Sequence, residues 1–550
     1  MKAEPVLTRR AALAGAGAAG AAMALGGCAQ ADAAPYPGAM LGPDMGRGHA
    51  LRDGRMAAAT TGPDVHTGLL IAGGGVAGLA AGWRLKQAGF DDFLLLELED
   101  EAGGNARAGA NAFTAFPWGA HYLPLPNREG RALIAMLRQF GMVTGTGPDG
   151  APIYDPLQIC ADLEERLLWN GQWQEGLYPA SALGREDRRQ RDAFFAAMGA
   201  WRHKVGADGR PAFACPMAYS SRDPAIRALD GISMAAWMAR NGYTSAPLLA
   251  HVRYACRDDY GAEPEAVSAW AGLHYFAGRR AFVAGHSGRY DGDNSELTWP
   301  EGNARLTRAM AGVIGGAIRT GHSALHVAAQ GDGITAHVLA HRQARRYNVM
   351  ARGGILAMPD FVARHVAPGV APVGRFSYAP WVVANITVTR RPEGPGVPLA
   401  WDNVSAASDH LGYVVADHQT SAAAEGPSVL TWYTALSAGD PVAQRRGLQG
   451  ASLRDWQRLI ADDLLAMHPD MEGHIARIDV WRWGHAMVRP TPGFLSDPAR
   501  LAAQAADGPI WRAHSDISGL SLFEEAHYRG CLAAEAAMRR LGHPFESLLT

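Results

Sequence analysis

Apolar positions in the first half of the folded chain fall into short unbroken runs bounded by glycine. Gly68-Leu69-Leu70-Ile71 is the first, and Phe93-Leu94-Leu95-Leu96 the second. Runs of this length, apolar at every position, predict strands buried on both faces. Between them a glycine cluster opens a helical pattern with Ala80, Leu85 and Ala88 among its small and apolar positions. Strand, helix and strand within about thirty residues imply a parallel sheet with a right-handed crossover. From about Arg128 to Asp293 helical patterns dominate, including Arg131–Phe140 and Asp187–Trp201. Leu297–Ile318 and Gly353–Pro359 read as a return to the first sheet. Val382–Thr389, Gly412–Ala416 and Ser428–Thr434 have β-type composition and predict a second sheet. A last helix is predicted from about Leu522 to Leu541. The fold class expected is α/β: a Rossmann-type domain carrying an inserted α+β domain.

Composition narrows this little. The chain of 550 residues is 48% hydrophobic and 19% charged, with a formal net charge of −2. That balance gives no basic field for nucleic acid. The first residues change the picture more. Thr8-Arg9-Arg10 precedes an uncharged Ala/Gly-rich stretch to Gly27, the pattern of an export signal of the twin-arginine type. Leu25-Gly26-Gly27-Cys28 resembles a bacterial lipobox, which implies cleavage before Cys28 and its lipidation; cleavage near Ala31-Asp32-Ala33 is the alternative. Removing residues 1–27 takes Lys+Arg from 51 to 48 and Asp+Glu from 53 to 52, leaving about −4. Residues Ala29–His66 are rich in Gly, Pro and Ala and read as a linker. Cys160, Cys215, Cys256 and Cys531 are scattered, without metal-type spacing, and read as buried thiols.

The glycine cluster carries the first chemistry. Gly73-Gly74-Gly75-Val76-Ala77-Gly78 fits G-x-G-x-x-G directly after a strand and at the start of a helix. Gly73 permits the tight turn, Gly75 the approach of a pyrophosphate, and Gly78 close helix–strand packing. The helix start offers free N–H groups and a positive dipole end to phosphates. Glu97 ends the second strand, twenty-four residues after Gly73, where a carboxylate accepts hydrogen bonds from both ribose hydroxyls and disfavours a 2′-phosphate.

Six residues beyond Glu97 come Gly103-Gly104-Asn105. With this loop the sequence resembles FAD enzymes of the flavin amine oxidase and phytoene desaturase type. The resemblance implies that Gly103, Gly104 and Asn105 pass along the FAD pyrophosphate and ribose, with Asn105 standing where an Arg is usual and Arg107 two residues on. Trp118-Gly119-Ala120-His121-Tyr122 is similar to the family's segment near the isoalloxazine, with Pro117 in place of the customary Asp. Trp299-Pro300-Glu301-Gly302-Asn303 and Gly354-Ile355-Leu356-Ala357-Met358-Pro359 resemble two later family segments. In Ile510–Asp516 the resemblance puts Asp516 in the acidic position near the ribityl chain or phosphates. It also sets Phe523 and Glu524 at the start of a helix whose N-terminus faces the flavin pyrimidine edge. The implied organisation is an export signal over 1–27 and a linker over 28–66. A discontinuous FAD-binding domain follows over 67–127, 294–375 and 480–550, with a substrate domain over 128–293 and 376–479.

The function implied is that of an FAD-dependent oxidoreductase, taking a hydride from a small organic substrate to flavin N5 and reoxidised by oxygen, a quinone or a protein. A membrane contact through the lipid anchor and no nucleic-acid partner are expected. The alternative is a non-catalytic flavin-fold binding or assembly factor of the cell envelope. Candidates for the cavity are Trp483, His485 and His121. No metal site is expected: Asp291–Glu296 lacks the Gly at position six and the Glu at position twelve of a calcium loop, and His410 and His418 share no helical face. The only lysines are Lys2, Lys86 and Lys204, so the family lysine near N5 has no counterpart, and Ser521-Leu522 stand where a substrate-caging aromatic is usual. Both losses imply a substrate other than an ordinary amine, bulkier or more apolar, or a quinone as acceptor.

Overall fold

A computed structural model describes residues 34–55, 59–284, 296–370, 376–420, 425–504 and 508–549. The export signal, Cys28 and most of Asp291–Glu296 lie outside these residues.

The first apolar run is a strand, Leu69–Ala72, at the centre of a five-stranded parallel sheet in the order 318–320, 93–97, 69–72, 354–356, 510–512. Pairing in register sets Ile71 between Leu95 and Ile355. Every residue of the three inner strands is buried, because both faces are covered. Leu69, Ile71, Leu95 and Ile355 point into a core shared with the helices Val76–Gln87, Ala304–Ile314 and Phe523–Arg540. Their neighbours Leu70, Leu94 and Leu356 point the other way, onto an antiparallel layer of strands His322–Gln330, Gly333–Ala340 and Arg345–Ala351. That alternation is the period of two of a strand. The first and last helices pack backbone to backbone: a Cβ on Gly530 would fall 2.1 Å from Ala77 O. Arg84, buried under that contact, pairs with Glu535 at 2.9 Å.

A second sheet of eight strands runs 40–41, 475–488, 378–388, 428–435, 413–415, 402–405, 165–169, 172–175. The helices Arg185–His203, Ala246–Tyr260 and Ala269–Ala277 form their own core beside it. Cys160, Cys215, Cys256 and Cys531 are buried and unpaired.

The expected linker is corrected over its described part. Met40–Leu41 pairs in parallel with Val480 and Trp481, Met45–Arg52 is a helix, and Val65–Thr67 pairs with Val349–Ala351. Edge strands of two or three residues form because a long partner already presents unpaired N–H and C=O groups, which leaves no periodicity in the segment itself. The boundary expected at 480 also moves, because Ile475–Val488 is one continuous strand of the second sheet.

Candidate functional site

The glycine loop adopts the expected turn. Gly73 has φ +112°, and a Cβ on it would lie 2.2 Å from Ala357 O. Gly78 would collide with Gly73 O at 1.9 Å. Helix Val76–Gln87 starts without a side-chain cap at Gly75, so its first N–H groups point outward with no acceptor from the helix itself. A Cβ on Gly75 would meet nothing nearer than Gly104 Cα at 3.9 Å, so the backbone there is open to a ligand. Gly103 donates its N–H to Gly74 O at 2.8 Å and folds the second glycine loop over the first.

Glu97, buried at the end of its strand, accepts Gly74 N–H at 2.7 Å and Glu99 N–H at 2.8 Å, one on each oxygen. Burial raises its pKa above the usual carboxylate value, while the two N–H groups and Arg107 oppose the shift. Each oxygen retains a lone pair for a hydroxyl. The residues present therefore suit the adenosine diphosphate part of a dinucleotide.

Asn105, which follows Gly104, opens the wall of a cavity of about 170 Å³. Asn105, Gly119, His121, Trp483, Phe523 and Glu524 all line it. Asn105 Nδ2 donates to Ala486 O at 2.8 Å, and Trp483 Nε1 to Trp118 O at 2.6 Å, tying the nucleotide domain to the second sheet. Gly119 packs on the Asn105 backbone, where a Cβ would lie 2.3 Å from Asn105 O. His121 donates Nδ1–H to Gly119 O at 3.1 Å; burial pushes its pKa down to about 4, so the ring is neutral. Asn303, 1% exposed, also lines the cavity, and its Oδ1 has no partner among the described residues. Such an orphaned acceptor suits a ligand N–H.

One cavity candidate sits elsewhere. His485 stacks on Phe361 at 4.3 Å and is not part of the lining. It has the same parity as Trp483, but the register slips between the pairs Trp381–Trp483 and Ala379–Met487, and this bulge turns His485 out of the face. Asp516 is buried with Oδ2 accepting Tyr378 OH at 2.5 Å and Asp360 N–H at 2.8 Å. Burial would raise its pKa, yet His514, Tyr378 and Asp360 together lower it. Its Oδ2 is thus engaged by protein donors.

Residues that sequence reasoning missed complete the walls. Trp381 and Tyr433 stack with an interplanar angle of 14°, supplying from the second sheet the aromatic surface lacking at Ser521-Leu522. Asp258, Asp259 and Arg279 reach the lining from the helical insertion. Arg279 pairs with Asp259 at 3.0 Å. Burial disfavours the guanidinium, but Asp259 and its neighbours more than offset this and raise its pKa. The run Arg257-Asp258-Asp259 inside an otherwise apolar helix end was the available signal.

A family described as NAD(P)-binding Rossmann-like domain matches residues 71–140. No curated protein matches the chain. Among solved structures, a wild-type putrescine oxidase bound to putrescine shares 15% identity, with 87% of this chain and 100% of that one covered, at a TM-score of 0.62. Cyclohexylamine oxidase from Brevibacterium oxydans shares 16%, with 86% and 99% covered, at 0.61. The chain thus has the mixed α/β fold of these oxidases, with a Rossmann-like domain at its nucleotide end.

Proposed function

We propose that this chain is an FAD-dependent oxidoreductase acting on a small organic substrate. One observation carries the reading: the open helix start at Gly75 and the carboxylate of Glu97 stand beside the crossing Gly103-Gly104 loop, whose next residue, Asn105, lines the walled cavity. Gly75, Val76 and Ala77 would hold the pyrophosphate, Glu97 the adenosine ribose, and Asn105, Gly119, Trp483 and Phe523 the flavin ring. The two solved relatives, by name oxidases, fit this. When bound, FAD supplies acceptance of a hydride from substrate carbon at N5. The chain's own residues orient the substrate and exclude water: Trp381 and Tyr433 form a flat wall, and His121 offers a neutral acceptor nitrogen. The N-terminus of Phe523–Arg540 directs its positive dipole end at charge that develops near it.

The same proposal places the protein in the cell envelope, exported by the twin-arginine route and lipidated at Cys28. Arg9-Arg10, the uncharged stretch and Leu25–Cys28 support it. Among the described residues no helix is long and apolar enough to cross a membrane. The reoxidising partner is oxygen, a quinone or a protein. The test is purification without added cofactor, release of the flavin by heat, and an anaerobic screen for flavin bleaching by candidate substrates. Protein that binds no FAD on reconstitution refutes the reading.

A further inference from the structure

The carboxyl ends of the parallel strands hold a histidine outside the cavity lining. Ala513 donates its N–H to Leu356 O at 3.0 Å and closes the strand Ile510–Arg512; His514 follows. One strand further in, the chain leaving Gly354–Leu356 turns at Ala357-Met358, the turn on which Gly73 packs. His514 therefore stands on the same edge of the sheet as the glycine loop, two strands from it. Glu97 ends the strand on the other side of that loop. Ligands of open parallel sheets lie along the carboxyl edge, so a dinucleotide held at Glu97 and crossing the loop extends toward the strand ends at 357 and 513.

Asp516 places this histidine. His514 Nδ1 accepts Asp516 N–H at 3.2 Å and lies 2.9 Å from Asp516 Oδ1. Asp516 is 1% exposed, and Tyr378 OH and Asp360 N–H fix its other oxygen. Nδ1 is thereby committed, whereas Nε2 has no hydrogen-bond partner among the described residues, and the side chain is 25% exposed. With Nδ1 accepting, the neutral ring carries its proton on Nε2, and a protonated ring carries one there too. Nε2 is a donor in either state. The glycine loop has need of one. Gly73–Gly78 contains no cation, and Arg107 beside it is paired with Glu99 at 3.3 Å. A pyrophosphate there otherwise meets only backbone N–H groups.

We propose that His514 is a phosphate-binding residue, with Nε2–H donating to the flavin-side phosphate of the bound dinucleotide and Asp516 as the positioning residue behind it. The inference rests on the reading of this cleft as a dinucleotide site. It also explains why a buried carboxylate on this edge has both oxygens turned to protein groups: Asp516 serves the ligand through His514.

The experiment uses the mature protein, stripped of cofactor, as wild type, His514→Asn and His514→Ala. FAD binding is read by quenching of flavin fluorescence. AMP, which has the adenosine phosphate and lacks the flavin-side one, is titrated by calorimetry, and melting temperature reports folding. Asn caps a helix as well as the histidine does, on a shorter side chain. His514→Asn should therefore melt near wild type, bind FAD about tenfold more weakly and keep the AMP Kd within about twofold. His514→Ala should show the same loss for FAD and a lower melting temperature. Wild-type FAD affinity in either folded variant overturns the proposal and leaves His514 a helix cap. Equal weakening of FAD and AMP overturns it too, as a general disturbance of the cleft. A wild type that binds NAD but no FAD refutes the flavin reading. NAD then replaces FAD as the probe: a tenfold loss in His514→Asn leaves the phosphate contact standing, and no loss overturns it. A wild type that binds neither dinucleotide overturns both.

Discussion

Replacing Glu97 by Gln tests the nucleotide end with a change of one atom. Each carboxylate oxygen accepts a backbone N–H, from Gly74 at 2.7 Å and from Glu99 at 2.8 Å. An amide keeps one of these bonds and turns its own NH₂ toward the other N–H, so one buried donor loses its acceptor. It also has one oxygen fewer for the ribose. A hydrogen bond to a charged group contributes roughly 1.5–3 kcal/mol, and an orphaned buried donor costs roughly 1–3 kcal/mol. The first term falls on FAD binding and predicts a Kd weakened by about ten- to a hundredfold. The second falls on the flavin-free protein, whose glycine loop loses an anchor, and predicts a melting temperature lower by a few degrees. The assay is reconstitution of stripped protein with FAD, followed by quenching of flavin fluorescence, with thermal unfolding of the stripped protein alongside. An unchanged FAD affinity in Glu97→Gln would refute the assignment of this carboxylate to the ribose. A lowered melting temperature with unchanged affinity would leave Glu97 as a brace of the loop and nothing more.

Gly530→Ala should lower the melting temperature by an amount corresponding to roughly 1–3 kcal/mol, since its Cβ would lie 2.1 Å from Ala77 O and force two helix backbones apart; a neutral result would refute that packing. The ligand-free protein should lose stability as pH rises from about 4 to about 7. Over that window the unfolded chain has released the protons of Glu165 and Asp258, whereas the fold, which raises both to about 7, still holds them. Melting temperatures across that range measure the effect, and in Asp258→Asn with Glu165→Gln the slope should flatten. Arg9→Lys with Arg10→Lys should trap the protein in the cytoplasm, and Cys28→Ala should release it from the membrane fraction; cell fractionation that finds either variant distributed as wild type contradicts the export and anchoring proposal.

The nucleotide end was legible because its determinants are local. Four apolar residues, a glycine turn and Glu97 fall within about thirty positions, and each is demanded by backbone geometry: Gly73 by its φ of +112°, Gly78 by its contact with Gly73 O. Helix Phe523–Arg540 was placed within a residue or so of its ends. The substrate end was not legible, since Asp258, Arg279, Trp381 and Tyr433 come from separate elements and meet only through tertiary packing. His485 shows the limit of parity reasoning, because a bulge that depends on the partner strand decides which way it points. The segment before Gly68 was misread for a related reason: its short strands borrow their order from Ile475–Val488 and Arg345–Ala351.

The order of strands in the parallel sheet bears on how the protein is made. Ile510–Arg512 pairs with Gly354–Leu356, which pairs in turn with Leu69–Ala72, and the last helix seals the first. The nucleotide domain begun near residue 69 therefore stays open until the strand at 510–512 and the helix Phe523–Arg540 have left the ribosome. Pairings across such long separations are slow to form, because the loop must close before any contact rewards it. The cleft at Gly75 is consequently completed only once residues some 450 positions further along the chain are in place. An export route that accepts only folded cargo would hold such a protein back until that late closure, together with whatever it encloses, had taken place.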